Sequence, residues 1–217
     1  QGFRVDIVPA DPGDGDWQQY RLVLLPLLHV VSDTTAQRID DYVMQGGHIA
    51  TSYFSGVSTP SLKVRLGGYG GSLLGETCGV FVEEFVPLQE GQRITLESGA
   101  QASIWAERTQ AAGAVAIDRY TEPPIVQGQL AISRHRRGDG LAWYVGTELD
   151  EHSLAELLAR VASDANVIPD GGSEGVEVVS RDSATFVINH SDDQTTWQGH
   201  TVKPGQVQVF VNQSPVL

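Results

Sequence analysis

Apolar residues recur with two different periods along this 217-residue chain, and the changes of period mark its elements. Phe3 to Val8 alternates and stops at Pro9, which predicts a strand. Asp11-Pro12-Gly13-Asp14-Gly15-Asp16 then reads as a solvated connection. Leu22-Val23-Leu24-Leu25 is a continuous apolar run of the kind buried on both faces of a parallel sheet, and Pro26 ends it. Ser32 or Asp33 can cap a helix whose apolar positions Ala36, Ile39, Tyr42 and Val43 follow helical spacing, with Gly46-Gly47 as its left-handed end. His48 to Tyr53 completes a strand-helix-strand crossover, so a right-handed parallel connection is expected. Counting from Phe3, this is the third strand of an open α/β sheet. Two glycine-rich turns follow it, Tyr53-Phe54-Ser55-Gly56 and Arg65-Leu66-Gly67-Gly68-Tyr69-Gly70-Gly71, where ligand crevices of such sheets form.

Beyond the turns, Ser72 to Thr77 predicts a short helix. Val80 to Phe85, Arg93 to Glu97, Ala102 to Trp105, Ala114 to Tyr120 and Leu130 to Ser133 predict short strands separated by turn formers. Ala142 to Thr147 is again a buried-strand run, and Ser153-Leu154-Ala155-Glu156 has the spacing of a capping box, opening a helix through Leu157, Leu158 and Val161. The economical architecture is an α/β core with an inserted antiparallel region. From Asn166 the character changes. Ile168 to Ser173 reads as a linker, and Val176–Val179, Thr185–Ile188 and Val207–Phe210 alternate as strands of a small antiparallel β domain. The expected division is 1–166 and 167–217.

Composition removes several functions. A net charge of −13 argues against nucleic-acid binding, which needs a clustered basic face. The one dense basic run, Arg134-His135-Arg136-Arg137, reads as a charged turn of a hairpin. No apolar run approaches the ~20 residues that span a bilayer, so no membrane is implied. One cysteine, Cys78, allows no internal disulfide and suits a reducing, cytoplasmic compartment. The chain begins at Gln1 without methionine and enters a strand-like stretch at once, which suggests a cut inside a longer polypeptide.

Catalytic chemistry is hard to assemble from what remains. Glycoside hydrolysis needs two facing carboxyls. Of the candidates Glu76, Glu83, Glu84, Glu107 and Glu148, the adjacent Glu83 and Glu84 would point to opposite faces of a strand. Cys78 ends a predicted helix, where the dipole raises a thiol pKa, although amide hydrolysis by an amidotransferase-like enzyme would need a thiolate there. The six histidines show no paired spacing, so neither a metal nor a cofactor is expected. Trp17, Trp105, Trp143 and Trp197 raise the further possibility of a carbohydrate-binding module, with Trp143 the best core candidate and Trp105 the best rim candidate.

The order of several segments resembles a known family. Val5 to Pro9, Tyr20 to Pro26, Gly46 to Gly56, Arg65 to Gly71, Val82 to Phe85, Trp105 to Arg108, Ala142 to Thr147 and Phe186 to Ser191 are similar to the region after the catalytic barrel of glycoside hydrolase family 42 β-galactosidases. Gly70 stands where many relatives would carry proline. The resemblance implies an α/β domain of class I glutamine amidotransferase-like (flavodoxin-like) topology that mediates trimerisation, followed by a small β domain. It also implies that the two glutamates of a retaining galactosidase, acting on terminal β-D-galactosides, lie in a preceding (β/α)8 barrel that this chain lacks. The expected role is non-catalytic assembly of a homotrimer. Tyr53, Phe54, Arg65, Tyr69, Trp105, Glu107 and Arg108 are then the expected interface or active-site-rim residues, since aromatic and arginine side chains dominate interface energetics.

Overall fold

Two β-strand runs and one capped helix set the frame of the larger unit. In a computed structural model, which describes residues 2–10, 17–65, 73–169, 171–172, 174–211 and 214–215, the chain forms two units. One is Pro9–Val167; the other joins Gln1–Val8 to Ile168–Leu217.

In the larger unit a 3-10 turn at Trp17–Gln19 leads into β1 (Leu22–Leu25), α1 (Asp33–Met44) and β2 (His48–Ser52). The Ser32 hydroxyl caps α1 by accepting from the Thr35 amide at 2.9 Å, and Gly46 leaves the helix at φ +101°, as the spacing predicts. After α2 (Leu73–Cys78) come β3 (Val80–Pro87), β4 (Arg93–Thr95), β5 (Gln101–Ser103), β6 (Trp105–Ala111), β7 (Val115–Arg119), β8 (Leu130–Arg137), β9 (Gly140–Val145), β10 (Glu148–Leu149) and α3 (Glu151–Asp164).

The main sheet has the order β1-β2-β9-β8-β7. β1, β2 and β9 are parallel, and β8 and β7 extend the sheet antiparallel. Smaller sheets β10-β5-β4 and β3-β6 belong to the inserted region. Successive residues of β9 feed opposite sides of the sheet: Ala142 and Tyr144 join the cluster of Ile39, Val43 and Ile49, whereas Trp143 joins Leu149, Leu157 and Val161. The sheet therefore lies between α1 on one face and α3 with part of the insert on the other. This is a mixed α/β fold with added antiparallel sheets.

Several expectations change. Phe3 to Val8 makes no strand: Ile7 is 98% exposed, and this extended segment is tied to its own unit by Arg4, which donates to the Ser180 carbonyl at 3.0 Å. β2 is thus the second strand in chain order. β1 is an edge strand, with Leu24 43% exposed, because among the described residues no strand pairs beyond it in the sheet order. α3 begins three residues earlier than the capping-box spacing suggests, since Asp150 caps it by accepting from the Ser153 amide at 2.8 Å. Arg134 to Arg137 is strand, not turn. Arg134 pairs with Asp164 at 2.6 Å and lies over the Trp143 ring, and Arg137 grips Asp40 with two bonds of 2.9 and 3.1 Å.

The smaller unit holds β11 (Val176–Arg181), β12 (Ala184–Asn189), β13 (Thr195–Trp197), β14 (His200–Val202), β15 (Val207–Val211) and β16 (Ser214–Pro215). β11-β12-β15-β16 form an antiparallel sheet and β13-β14 a hairpin, around Val176, Val178, Val187, Val202 and Phe210. Trp197 packs against Phe210 with ring centroids 4.9 Å apart. Buried Asn189 ties the connection together: its amide donates to the Asp193 and Val202 carbonyls, and its oxygen accepts from Ser191.

Candidate functional site: an aromatic face over a buried carboxyl

The carboxyl ends of β1, β2 and β9 are where an open α/β sheet places its loops for use. Tyr53 continues the line of β2, donating its amide to the Val145 carbonyl at 2.8 Å, and the chain then turns sharply at Phe54. Phe54 sits at φ +60°, a region that bulky residues rarely adopt, and Gly56 follows at +76°. The strained turn is held by neighbours. The Ser52 and Ser55 hydroxyls accept from the Leu27 and Leu28 amides of the loop after β1, at 2.8 and 3.1 Å. A left-handed Ile104 (φ +64°) separates β5 from β6 and starts a new strand at Trp105.

These two kinks bring four rings together. Phe54 and Trp105 have centroids 4.2 Å apart, Phe85 lies 5.3 Å from Trp105, and Tyr53 stacks on Trp105 at 5.9 Å. His29 adds an edge against Phe54 at 6.1 Å. Phe85 is 40% exposed and Ile104 62% exposed, while Trp105 is only 8% exposed. Exposed Leu27, Val30, Leu62 and Val64 occupy the loops that bridge through Val30, Ser58 and Val64.

Beneath the rings lies Glu107, fully buried. Its Oε1 accepts from the Trp105 indole at 2.9 Å and its Oε2 from the Tyr144 hydroxyl at 2.5 Å. Burial outweighs these two donors and pushes its pKa up to about 8. The Tyr53 hydroxyl donates to Glu148 at 2.8 Å, and burial together with that bond raises its pKa. Thr147 donates to the Trp105 carbonyl, and Tyr120 donates to the Gly146 carbonyl.

The seven residues singled out from sequence thus separate. Tyr53, Phe54 and Trp105 meet in the ring cluster. Glu107 is beneath it, away from any surface. Arg65 pins a loop, bonding Asp33 at 2.7 Å and the Val31 carbonyl at 2.6 Å, with its side chain 15% exposed. Arg108 bonds both Glu83 and Glu84, at 2.9 and 3.2 Å. A register shift between Val82 and Glu84 in the β3-β6 ladder turns the two carboxylates toward one arginine, which overturns the expectation of opposite faces. Tyr69 and the Gly67–Gly71 turn lie outside the described residues. Phe85, His29, Tyr120 and Tyr144 were not singled out as site residues, although Phe85 and Tyr144 lie within the Val82–Phe85 and Ala142–Thr147 segments of the family resemblance and Tyr120 ends a predicted strand.

The two carboxyls nearest the rings are both engaged. Glu107 has no access to a substrate, and Glu148 is engaged by Tyr53. Cys78 is buried at the end of α2, beside a cavity of about 10 Å³, and burial raises its thiol pKa to about 12. Among the described residues no group of three or more His, Cys, Asp or Glu is placed to hold a metal ion. None of their helices is long and apolar enough to cross a membrane. Among the described elements there is no (β/α)8 barrel.

Known proteins are similar to this chain in sequence and in fold. Residues 1–168 match the family model described as the β-galactosidase trimerisation domain. A β-galactosidase of Arthrobacter sp. is 37% identical over 198 residues, covering 88% of this chain and 28% of that protein. One from Heyndrickxia coagulans is 32% identical over 200 residues, covering 88% and 29%. The chain therefore spans less than a third of the curated relatives it matches. A crystal structure of a β-galactosidase from Rahnella sp. R3 superposes with a TM-score of 0.84 at 26% identity, covering 96% of this chain and 34% of that one. Another, from Bacillus circulans sp. alkalophilus, gives 0.78 at 25% identity, covering 93% and 33%. By sequence and by fold, this chain belongs to the trimerisation-domain family of glycoside hydrolase family 42 β-galactosidases.

Proposed function

We propose that this chain is the non-catalytic assembly region of a β-galactosidase, joining three copies so that catalytic barrels carried elsewhere in the polypeptide share one interior. On this reading the retaining chemistry on terminal β-D-galactosides belongs to two glutamates of those barrels. On the same reading the α/β unit has a class I glutamine amidotransferase-like (flavodoxin-like) sheet used for assembly, with Phe54 at the turn that follows β2. The smaller unit is the accessory β domain, and a cytoplasmic setting suits the one buried thiol.

The observation that carries the reading is the partly exposed face of Phe54, Phe85 and Ile104 around a buried, hydrogen-bonded Trp105. Rigid aromatics lose little entropy on contact and anchor interfaces. Burial of Cys78 speaks against an amidotransferase-like hydrolase, and the packing of Trp17, Trp105 and Trp143 against core neighbours speaks against a sugar-binding module. Phe85→Asp and Ile104→Asp test the face. Light scattering should show a lower assembled mass for each with an unchanged circular dichroism spectrum; full assembly of both variants would refute the assignment.

A further inference from the structure

The Trp105-Ala106-Glu107 segment puts two side chains on one face of β6, because residues two apart in a strand point the same way. The indole of Trp105 can only donate, so it needs an acceptor wherever it is buried. Glu107 supplies that acceptor through Oε1, and its other oxygen meets the Tyr144 hydroxyl from β9. The groups facing the carboxyl are Trp105 on its own strand, Tyr144 on β9, Tyr120 after β7, and Tyr53 after β2 with Glu148 behind it. None of these is a cation. A charge on Glu107 would therefore sit among rings and phenols, and its protonation state bears directly on the ring that Phe54 and Phe85 lean on.

We propose that Glu107 is a positioning residue that sets the pose of Trp105, and that self-association through the aromatic face depends on whether this buried carboxyl holds its proton. The inference rests on the assembly reading above. In the neutral form Oε1 remains the indole's acceptor while the hydroxyl of the carboxyl donates to the Tyr144 oxygen, which can turn to accept. In the ionised form the charge is met only by the Trp105 indole and the Tyr144 hydroxyl, which burial outweighs, and the carboxylate gains by moving toward water. The indole then loses its fixed acceptor, and Trp105 no longer backs the exposed rings in one pose. Raising the pH through the carboxyl's titration should loosen the face, and lowering it should restore it.

The test follows the indole Nε1–H resonance of Trp105 from pH 6 to 10 in the 217-residue chain, the signal being assigned by its loss in Trp105→Phe. One titration with a midpoint near 8 is expected in the parent chain and none in Glu107→Gln, whose amide is neutral at every pH. Association measured by sedimentation velocity should fall by about tenfold per participating chain for each pH unit above that midpoint in the parent protein and stay level in Glu107→Gln. Tyr144→Phe gives a second route if Glu107→Gln does not fold: with one donor to the carboxylate removed, the indole midpoint should move upward. A flat indole signal, the same titration in Glu107→Gln, a midpoint unmoved in Tyr144→Phe, or an association indifferent to the titration would each overturn the proposal. Association that survives both Phe85→Asp and Ile104→Asp at every pH would instead sink the assembly reading, leaving the indole titration to decide the role of Glu107 separately.

Discussion

The indole nitrogen of Trp105 donates to the carboxyl of Glu107, 2.9 Å away and two residues along the same strand. That bond joins the surface of the larger unit to its core. Trp105 supports the partly exposed rings of Phe54 and Phe85, and Glu107 is fully buried with its second oxygen on Tyr144.

Stability should depend on pH through this carboxyl. Its folded pKa of about 8 stands above the ordinary 4.5, so between those values the folded chain keeps a proton that the unfolded chain releases. Stability from this group is complete below about pH 4.5, falls as the pH rises and levels off above about 8. The slope is at most about 1.4 kcal/mol per pH unit. Urea midpoints at pH 5, 7 and 9 should fall less steeply for Glu107→Gln than for the parent chain. Parallel curves for the two proteins would contradict the assignment.

Asp40 is nearly inaccessible, and it holds the Arg137 guanidinium with two bonds and accepts from the Thr77 hydroxyl at 2.7 Å. These contacts link α1, α2 and β8. Asp40→Ala should cost about 2–3 kcal/mol, less than a fully buried pair because Arg137 is one-third exposed. Chemical denaturation measures it, and a loss under about 0.5 kcal/mol would place the pair with ordinary surface bridges.

Two glycines separate backbone crowding from backbone conformation. A Cβ on Gly140 would meet the Gly47 and Val43 carbonyl oxygens at 2.1 and 2.3 Å, where main chain cannot yield. Gly91 sits at φ +77° with open space around it. Gly140→Ala should therefore destabilise by about 3 kcal/mol or more, against about 1 kcal/mol for Gly91→Ala. Thermal melts of the two variants give the comparison, and equal losses would remove the crowding argument.

Cys78 should be inert while the chain is folded. It is 1% exposed and its pKa is raised to about 12 by burial, so at pH 8 almost no thiolate is present. Labelling with iodoacetamide should proceed only as fast as the chain opens, and should become rapid in urea. Fast labelling of the folded chain would revive the hydrolase reading.

Much of the frame was legible in the sequence because it rests on local rules. The cap at Ser32, the glycine after α1, and the apolar runs of β2 and β9 each follow from neighbours within a few residues. What escaped depends on distant partners. β6 reads as polar, Trp105-Ala-Glu-Arg-Thr-Gln-Ala, and becomes a strand through its pairing with β3. Glutamate is by default a surface residue, so nothing local marks Glu107 as the deepest polar group of the site; the donors to its carboxyl come from β6 and β9. The shift beside Glu83 belongs to the β3-β6 ladder and has no signature in either strand alone. Phe3 to Val8 shows the reverse case, since its alternation is strand-like but no ladder receives it.

Self-association into a threefold assembly is the central claim, and sedimentation equilibrium over a wide concentration range tests it most directly. The account predicts a rise from the 23.4 kDa of one chain to three times that mass, without a stable intermediate of two. A mass that stays at 23.4 kDa throughout, or that stops at a dimer, would contradict it.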